Sequence, residues 1–146
     1  MKNILKTLLF AVFCVSSSLA LAGDKVIPAT SLPAAAQKFI ADNFPQKTIS
    51  YATADRDWFS TDYKVGLNDS TVVEFDSSGQ WREIENGVSG VSMNFLPANA
   101  KKLIEVRFIG AKIKSIEKKR TMLEVELFDG RDLKFSHDGT LIGIDD

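Results

Sequence analysis

The second half of this chain rewrites its first. Leu32-Pro33-Ala34 recurs 64 positions later as Leu96-Pro97-Ala98, and at that offset Ala36 matches Ala100, Ile40 matches Ile104, Phe44 matches Phe108 and Ile49 matches Ile113. Further on the offset falls to 60. Val65 and Leu67 then match Val125 and Leu127, Asp69 matches Asp129, Phe75 matches Phe135, Gly79 matches Gly139 and Ile84 matches Ile144. The fall means that the first copy carries four extra residues, placed between Ile49 and Val65, around Asp55 to Asp62. A fixed period of this length marks a duplicated supersecondary unit.

Within each copy the hydrophobic period changes from helical to extended. Leu32, Ala36, Phe39, Ile40 and Phe44 line one face of an amphipathic helix. Pro33 suits its first turn and Pro45 bars continuation past Phe44. Leu96, Ala100, Leu103, Ile104 and Phe108 repeat the face, closed by Gly110. Short alternating runs follow each helix, at 48–54, 62–67, 71–76 and 80–85, then at 112–118, 121–127, 132–136 and 141–145. Turn residues such as Asn68-Asp69-Ser70, Ser77-Ser78-Gly79, Asp129-Gly130 and His137-Asp138-Gly139 separate them.

The expected fold class is therefore α+β: two tandem repeats, about 31–86 and about 95–146, each of one helix plus an antiparallel meander of about four strands. Both helices should lie on one face. Alternation directs Leu123, Val125, Leu127, Leu133 and Phe135 toward the helices. It directs Glu124, Glu126 and Lys134 away, with Lys134 placed to pair with an outward Glu. A unit of about 60 residues is marginal alone, so the copies are expected to share one core. One eight-stranded sheet or two docked sheets would serve, with residues 87–94 as the bridge. The face opposite the helices is left free, as antiparallel sheets allow.

The first residues read as a targeting signal. Lys2 and Lys6 precede or flank an apolar run at 7–15, and Ala20-Leu21-Ala22 supplies an A-x-A cleavage site. Residues 1–22 are expected to be a cleaved signal peptide and 23–146 a single periplasmic domain. The run is too short for a bilayer-spanning helix, so no membrane span is expected after cleavage. Removal of the leader takes away Cys14, the one cysteine, and with it disulfide and thiol chemistry.

Composition narrows the function classes. With 18 Lys+Arg against 19 Asp+Glu, the chain lacks the basic footprint of a nucleic-acid binder. One His and one Cys exclude the common zinc, haem and Cys/His catalytic sets. His137 reads as part of a hairpin turn. No enzyme activity and no cofactor are expected.

Candidate binding residues cluster in the extra loop of the first copy. Trp58 and Phe59 stand among Asp55, Arg56, Asp57, Ser60, Thr61 and Asp62, and polar-rimmed aromatics are typical of binding surfaces. The alternative is that one ring folds back to plug the core. Trp81 aligns with Leu141 and is expected in the core, which leaves Arg82 facing outward toward a ligand. Asp55, Asp57 and Asp62 raise a calcium alternative, although the EF-hand template fails. Counted from Asp55, its fifth, sixth and twelfth positions are Phe59, Ser60 and Gly66.

The paired units Leu32-Pro33…Phe39-Ile40…Phe44-Pro45 and Leu96-Pro97…Leu103-Ile104…Phe108 each lead into a Val-x-Leu strand, a Phe-ended strand and a Gly-containing turn. In this pattern, from Leu32 to Asp146, the chain resembles the PepSY-like family of small exported bacterial proteins, whose fold is similar to the β-lactamase-inhibitor protein. The resemblance implies a tandem α+β module of the cell envelope with a non-enzymatic binding role, inhibition included, and no catalytic residue to carry over. The expected function is contact with an envelope protein or peptide through the open sheet face and the aromatic loop. The alternative is a periplasmic sensor of a small molecule or calcium that uses the acidic loop.

Overall fold

Pro33 and Pro97 stand one residue before the two helices, α1 (Ala34–Asn43) and α2 (Ala98–Arg107). Both prolines have extended ψ, 143° and 147°, so each turns the chain into its helix without sacrificing an intrahelical donor. Each helix stops at a phenylalanine whose N–H still reaches back: Phe44 donates to the Ile40 carbonyl and Phe108 to the Ile104 carbonyl, both at 2.9 Å. A single 3-10 turn precedes each helix, at Ala29–Ser31 and Met93–Phe95. The duplication therefore extends upstream of the helices.

The computed structural model describes residues 23–146; the expected signal peptide and Cys14 lie outside the described residues. The strands are β1 (Lys25–Val26), β2 (Ile49–Arg56), β3 (Thr61–Leu67), β4 (Val72–Phe75), β5 (Trp81–Glu85), β6 (Ile113–Lys118), β7 (Leu123–Leu127), β8 (Asp132–Phe135) and β9 (Leu141–Asp145). They form one antiparallel sheet in sequence order, so the fold is α+β with nine strands and two helices. The sheet is continuous across the repeats. Strand β5 of the first copy pairs with β6 of the second through Glu83↔Glu117, Ile84↔Ile116 and Glu85↔Ser115. The ninth strand is β1, two residues long, which pairs with β2 (Lys25↔Ala54, Val26↔Thr53). It serves the first repeat as β5 serves the second.

The core has one cluster under each helix, and the two are joined across the seam, where buried Ile84 faces buried Ile116. Leu32, Ala36 and Ile40 pack over Val65, Leu67, Val73, Phe75 and Ile84. Leu96, Ala100, Ile104 and Phe108 pack over Ile116, Leu123, Val125, Leu127, Leu133 and Phe135. Each helix covers its own strands, and Trp81, Val91 and Phe95 pack against both clusters. Phe95 lies 5.9–6.1 Å, centroid to centroid, from Phe44, Phe39 and Trp81. Trp81 is thus half-buried at the seam, with the Lys118 ammonium 3.5 Å over its ring.

Each copy also bulges at matched places. Ser50 in β2 and Lys114 in β6 are skipped by the ladder, as are Arg82 in β5 and Ile142 in β9. A bulge puts two residues opposite one and interrupts strict alternation.

The turn between the last two strands of each copy locks onto that copy's helix. Gly79 and Gly139 have φ of +82° and +88°, and an added Cβ would sit 2.9 Å from the Ala36 nitrogen and 2.8 Å from the Ala100 nitrogen. Gly130 has an equally left-handed φ of +92° but open space around it. Urea unfolding should therefore rank the variants. Gly130→Ala should cost roughly 1–3 kcal/mol from backbone conformation alone, and Gly79→Ala and Gly139→Ala distinctly more, because helix and turn must part.

Candidate binding face and hairpin tip

The four extra residues of the first copy lengthen one hairpin. Strands β2 and β3 have 8 and 7 residues, against 6 and 5 for β6 and β7, so each arm gains two. At about 3.3 Å per residue the tip reaches roughly 7 Å past its counterpart. Asp57 makes the turn: its Oδ1 accepts from the N–H groups of Phe59 (2.8 Å) and Ser60 (2.7 Å), and its own N–H donates to the Ser60 carbonyl. Those two N–H groups hold its carboxyl below the usual value. Trp58 and Phe59 are left as the central turn residues, 96% and 98% exposed. Neither ring folds back to plug the core.

The rest of the acidic loop disperses. Asp55 and Asp62 face each other across β2 and β3, and with Asp24, Lys64 and Glu74 they line a shallow depression of about 130 Å³. The bulged Arg82 comes within 3.7 Å of Asp62, so the structure joins Arg82 to the hairpin one residue pair below its turn. Asp57 is engaged in its own turn. Among the described residues no three His, Cys, Asp or Glu side chains are grouped as a metal site.

The sheet face away from the helices carries a charge pattern that the sequence reading missed. Cross-strand partners place Lys64, Glu74, Glu83, Glu117, Glu124 and Lys134 in one row over β3 to β8. Lys64 binds Glu74 at 3.0 Å, and Lys119 binds Glu124 at 2.8 Å and Glu117 at 3.4 Å. Lys134 pairs with Asp145 on β9 and not with a glutamate, as the expected pairing had it. Glu83, half-buried in the middle of the row, has no ion-pair partner among the described residues. Each glutamate is an outward residue in an alternating run. That signal was readable, but their alignment depends on which strands are neighbours.

A duplicated helix-and-meander sheet with one wet, charged face and a protruding aromatic hairpin defines a small surface-displaying module. The chain belongs to the PepSY-like family: the profile described as "Putative beta-lactamase-inhibitor-like, PepSY-like" matches residues 22–71 and again 61–143. It is similar to a "putative periplasmic protein of unknown function" from Bacteroides vulgatus, at 32% identity over 85% of this chain and 100% of that one, with a TM-score of 0.79. It is equally similar to a "putative calcium-regulated periplasmic protein" from Bacteroides thetaiotaomicron, at 32% identity over 84% and 97% of the two chains and a TM-score of 0.79. No curated protein matches the chain. Among the described residues no helix is long and apolar enough to cross a membrane.

Burial, followed by the charges of Glu74, Glu117 and Glu85, pushes the Glu83 carboxyl up from 4.5 to about 6. A carboxyl that holds its proton more tightly in the folded state stabilises the fold fully below 4.5, and that stabilisation is lost as pH rises through 6. Glu83→Gln keeps the neutral shape. Its melting temperature should exceed that of the wild type at neutral pH, and the two curves should converge below 4.5. Aspartates held low by their turns, such as Asp76 and Asp138, weaken both proteins alike on acidification, so the difference between the melts isolates Glu83.

Proposed function

We propose that this chain is an exported, periplasmic, non-catalytic binding module that docks a protein or peptide of the cell envelope. The contact surfaces are the open sheet face and the Trp58–Phe59 tip, with Arg82 beside Asp62 just below that tip. The carrying observation is the tip itself. Two large aromatic rings almost wholly in water, on a hairpin extension that contributes nothing to either core, bring no folding benefit and are the kind of side chain that anchors interfaces. Periplasmic placement draws on the descriptions of the similar structures. A non-catalytic role accords with the polar groups near the sole histidine: Ser136 donates to Asp138, while the His137 ring lies 3.3 Å from the Arg120 carbonyl. The family description favours an inhibitory form of binding.

A calcium-responsive role is the second reading, favoured by the similarity to the putative calcium-regulated periplasmic protein of Bacteroides thetaiotaomicron. Asp55 and Asp62 would be its ligands, with Asp57 diverted to the turn.

The Trp58→Ala, Phe59→Ala double variant should fail to recover the partners that the wild type recovers from envelope extract. It should unfold within about 0.5 kcal/mol of the wild type, as surface changes do. Equal recovery by the two proteins would defeat the docking reading. Calorimetric titration with calcium decides the second reading: saturable heat that disappears in Asp55→Asn, Asp62→Asn would support it, and absence of heat would end it.

A further inference from the structure

The two repeats build the same turn after their second meander strand and fill it differently. In the second copy, the Leu127 N–H donates to the Arg131 carbonyl, the Gly130 N–H to the Leu127 carbonyl and the Arg131 N–H to Asp129 Oδ1. In the first copy, sixty positions earlier, Leu67 donates to Thr71, Ser70 to Leu67 and Thr71 N–H to Asp69 Oδ1. The backbone frame is shared. The side chains are not.

Arg131 folds its guanidinium back onto Asp129, with Nη2 2.6 Å from Oδ2 and Nε within 3.2 Å of both oxygens. The same guanidinium lies 4.9 Å from the centre of the Phe108 ring, and Arg107 approaches that ring at 6.0 Å. Phe108 is buried under this cover. In the first copy Thr71 stands where Arg131 stands, and Asn43 where Arg107 stands. Phe44, the counterpart of Phe108, is only half-buried. Beside it is a cavity of about 340 Å³, lined among others by Asp42, Phe44, Asp69, Thr71, Val91 and Phe95. Among the described residues no basic residue lines it. The buried Asn86 side chain donates to the Thr71 hydroxyl and the Asp69 carbonyl, which fixes that wall.

The geometry points to this cavity as a seat for a guanidinium group supplied by a ligand, in the place that Arg131 fills within the second repeat. A planar cation there gains both partners that Arg131 has, a carboxylate for a two-pronged contact and an aromatic ring. The second carboxylate, Asp42, replaces Val106 and adds to the attraction. Two lysines compete from the rim: Lys47 lies 3.5 Å from Asp69, and Lys38 pairs with Asp42. Both are exposed, and surface pairs of this kind contribute little. The volume lies at the lower end of small-ligand sites, which suits one side chain and not a large molecule. The cavity is at the end of the β2–β3 hairpin opposite the aromatic tip, where Ile49 pairs with Leu67, so it stands independently of the docking role assigned to Trp58 and Phe59. An arginine of another polypeptide and a free guanidino compound share this chemistry.

An amide-resolved NMR titration of the purified protein tests the assignment with two probes, agmatine and acetyl-Gly-Arg-Gly-amide, and with acetyl-norleucine-amide as the uncharged control. The amides of Thr71, Val91 and Phe95 should move saturably with a guanidinium probe and stay still with norleucine. Response to the peptide alone would identify an arginine of a partner chain; response to agmatine would identify a free compound. Asp69→Asn should weaken binding by about tenfold, the loss expected from one charge-assisted contact. Thr71→Arg should abolish it by placing a guanidinium in cis; if that variant does not fold, Asp42→Asn combined with Asp69→Asn takes its place. Absence of movement at those amides with either probe overturns the proposal, as does binding of the same strength in Asp69→Asn.

Discussion

Three residue pairs between β5 and β6 hold the molecule in one piece. Ile84 against Ile116 puts the apolar side chains of both strands on the helix side of the sheet. Parity then requires Glu83 to face Glu117 on the other side. The buried seam and the exposed row of charges are two consequences of one register. A slip by one residue would turn isoleucines into water and glutamates into the core, so the apolar seam enforces a like-charge contact that the outer face would not choose. Phe95 and Trp81 reinforce the seam, since their rings touch the side chains of both repeats. The aromatic packing and the ladder specify the same junction.

Duplication has produced two copies that agree where the backbone needs agreement and differ where it does not. Proline before the helix, phenylalanine after it, the left-handed glycine against the helix start and the paired bulges recur in both. Divergence is confined to side chains and to one hairpin. The first copy has the longer β2–β3 arm with its aromatic turn, a threonine where the second has Arg131, and an arginine where the second has Ile142. All three differences expose chemistry on the first copy that the second either lacks or satisfies internally. At the turn after its second meander strand the second copy is the better closed, with Phe108 covered where Phe44 is half-buried, while Ile142 and Ile144 on its edge strand are exposed.

Much of this was legible in the sequence, for identifiable reasons. The helices follow from the spacing of Leu32, Ala36, Ile40 and Phe44 and of their counterparts, and the strand faces from the alternation of Leu123, Val125 and Leu127, all buried. The hairpin extension follows from the change of offset, but the exposure of both rings at its tip does not, since polar flanks still allow one ring to fold back. Other features depend on information that a linear pattern does not carry. Two residues, Lys25 and Val26, are too few to display a strand period. Continuity of the sheet rests on the choice of neighbour for β5, which its own alternation does not encode. The glutamate row inherits the same indeterminacy, and the pairing of Lys134 with Asp145 turns on where β9 lies. The loop carboxylates form a group by closeness in sequence alone, and the turn at Asp57 separates them.

The bulges carry a consequence for how such a sheet can change over time. At Arg82 and Ile142 the ladder passes over one residue, so Trp81 and Ile84 both reach the interior although three positions separate them. The skipped side chain is exempt from the packing demands on its neighbours. One copy has accepted a cation there and the other a branched aliphatic group, and both side chains are exposed. Such a site is a free variable in an otherwise constrained strand, where mutation can retune the outer surface without renegotiating the fold.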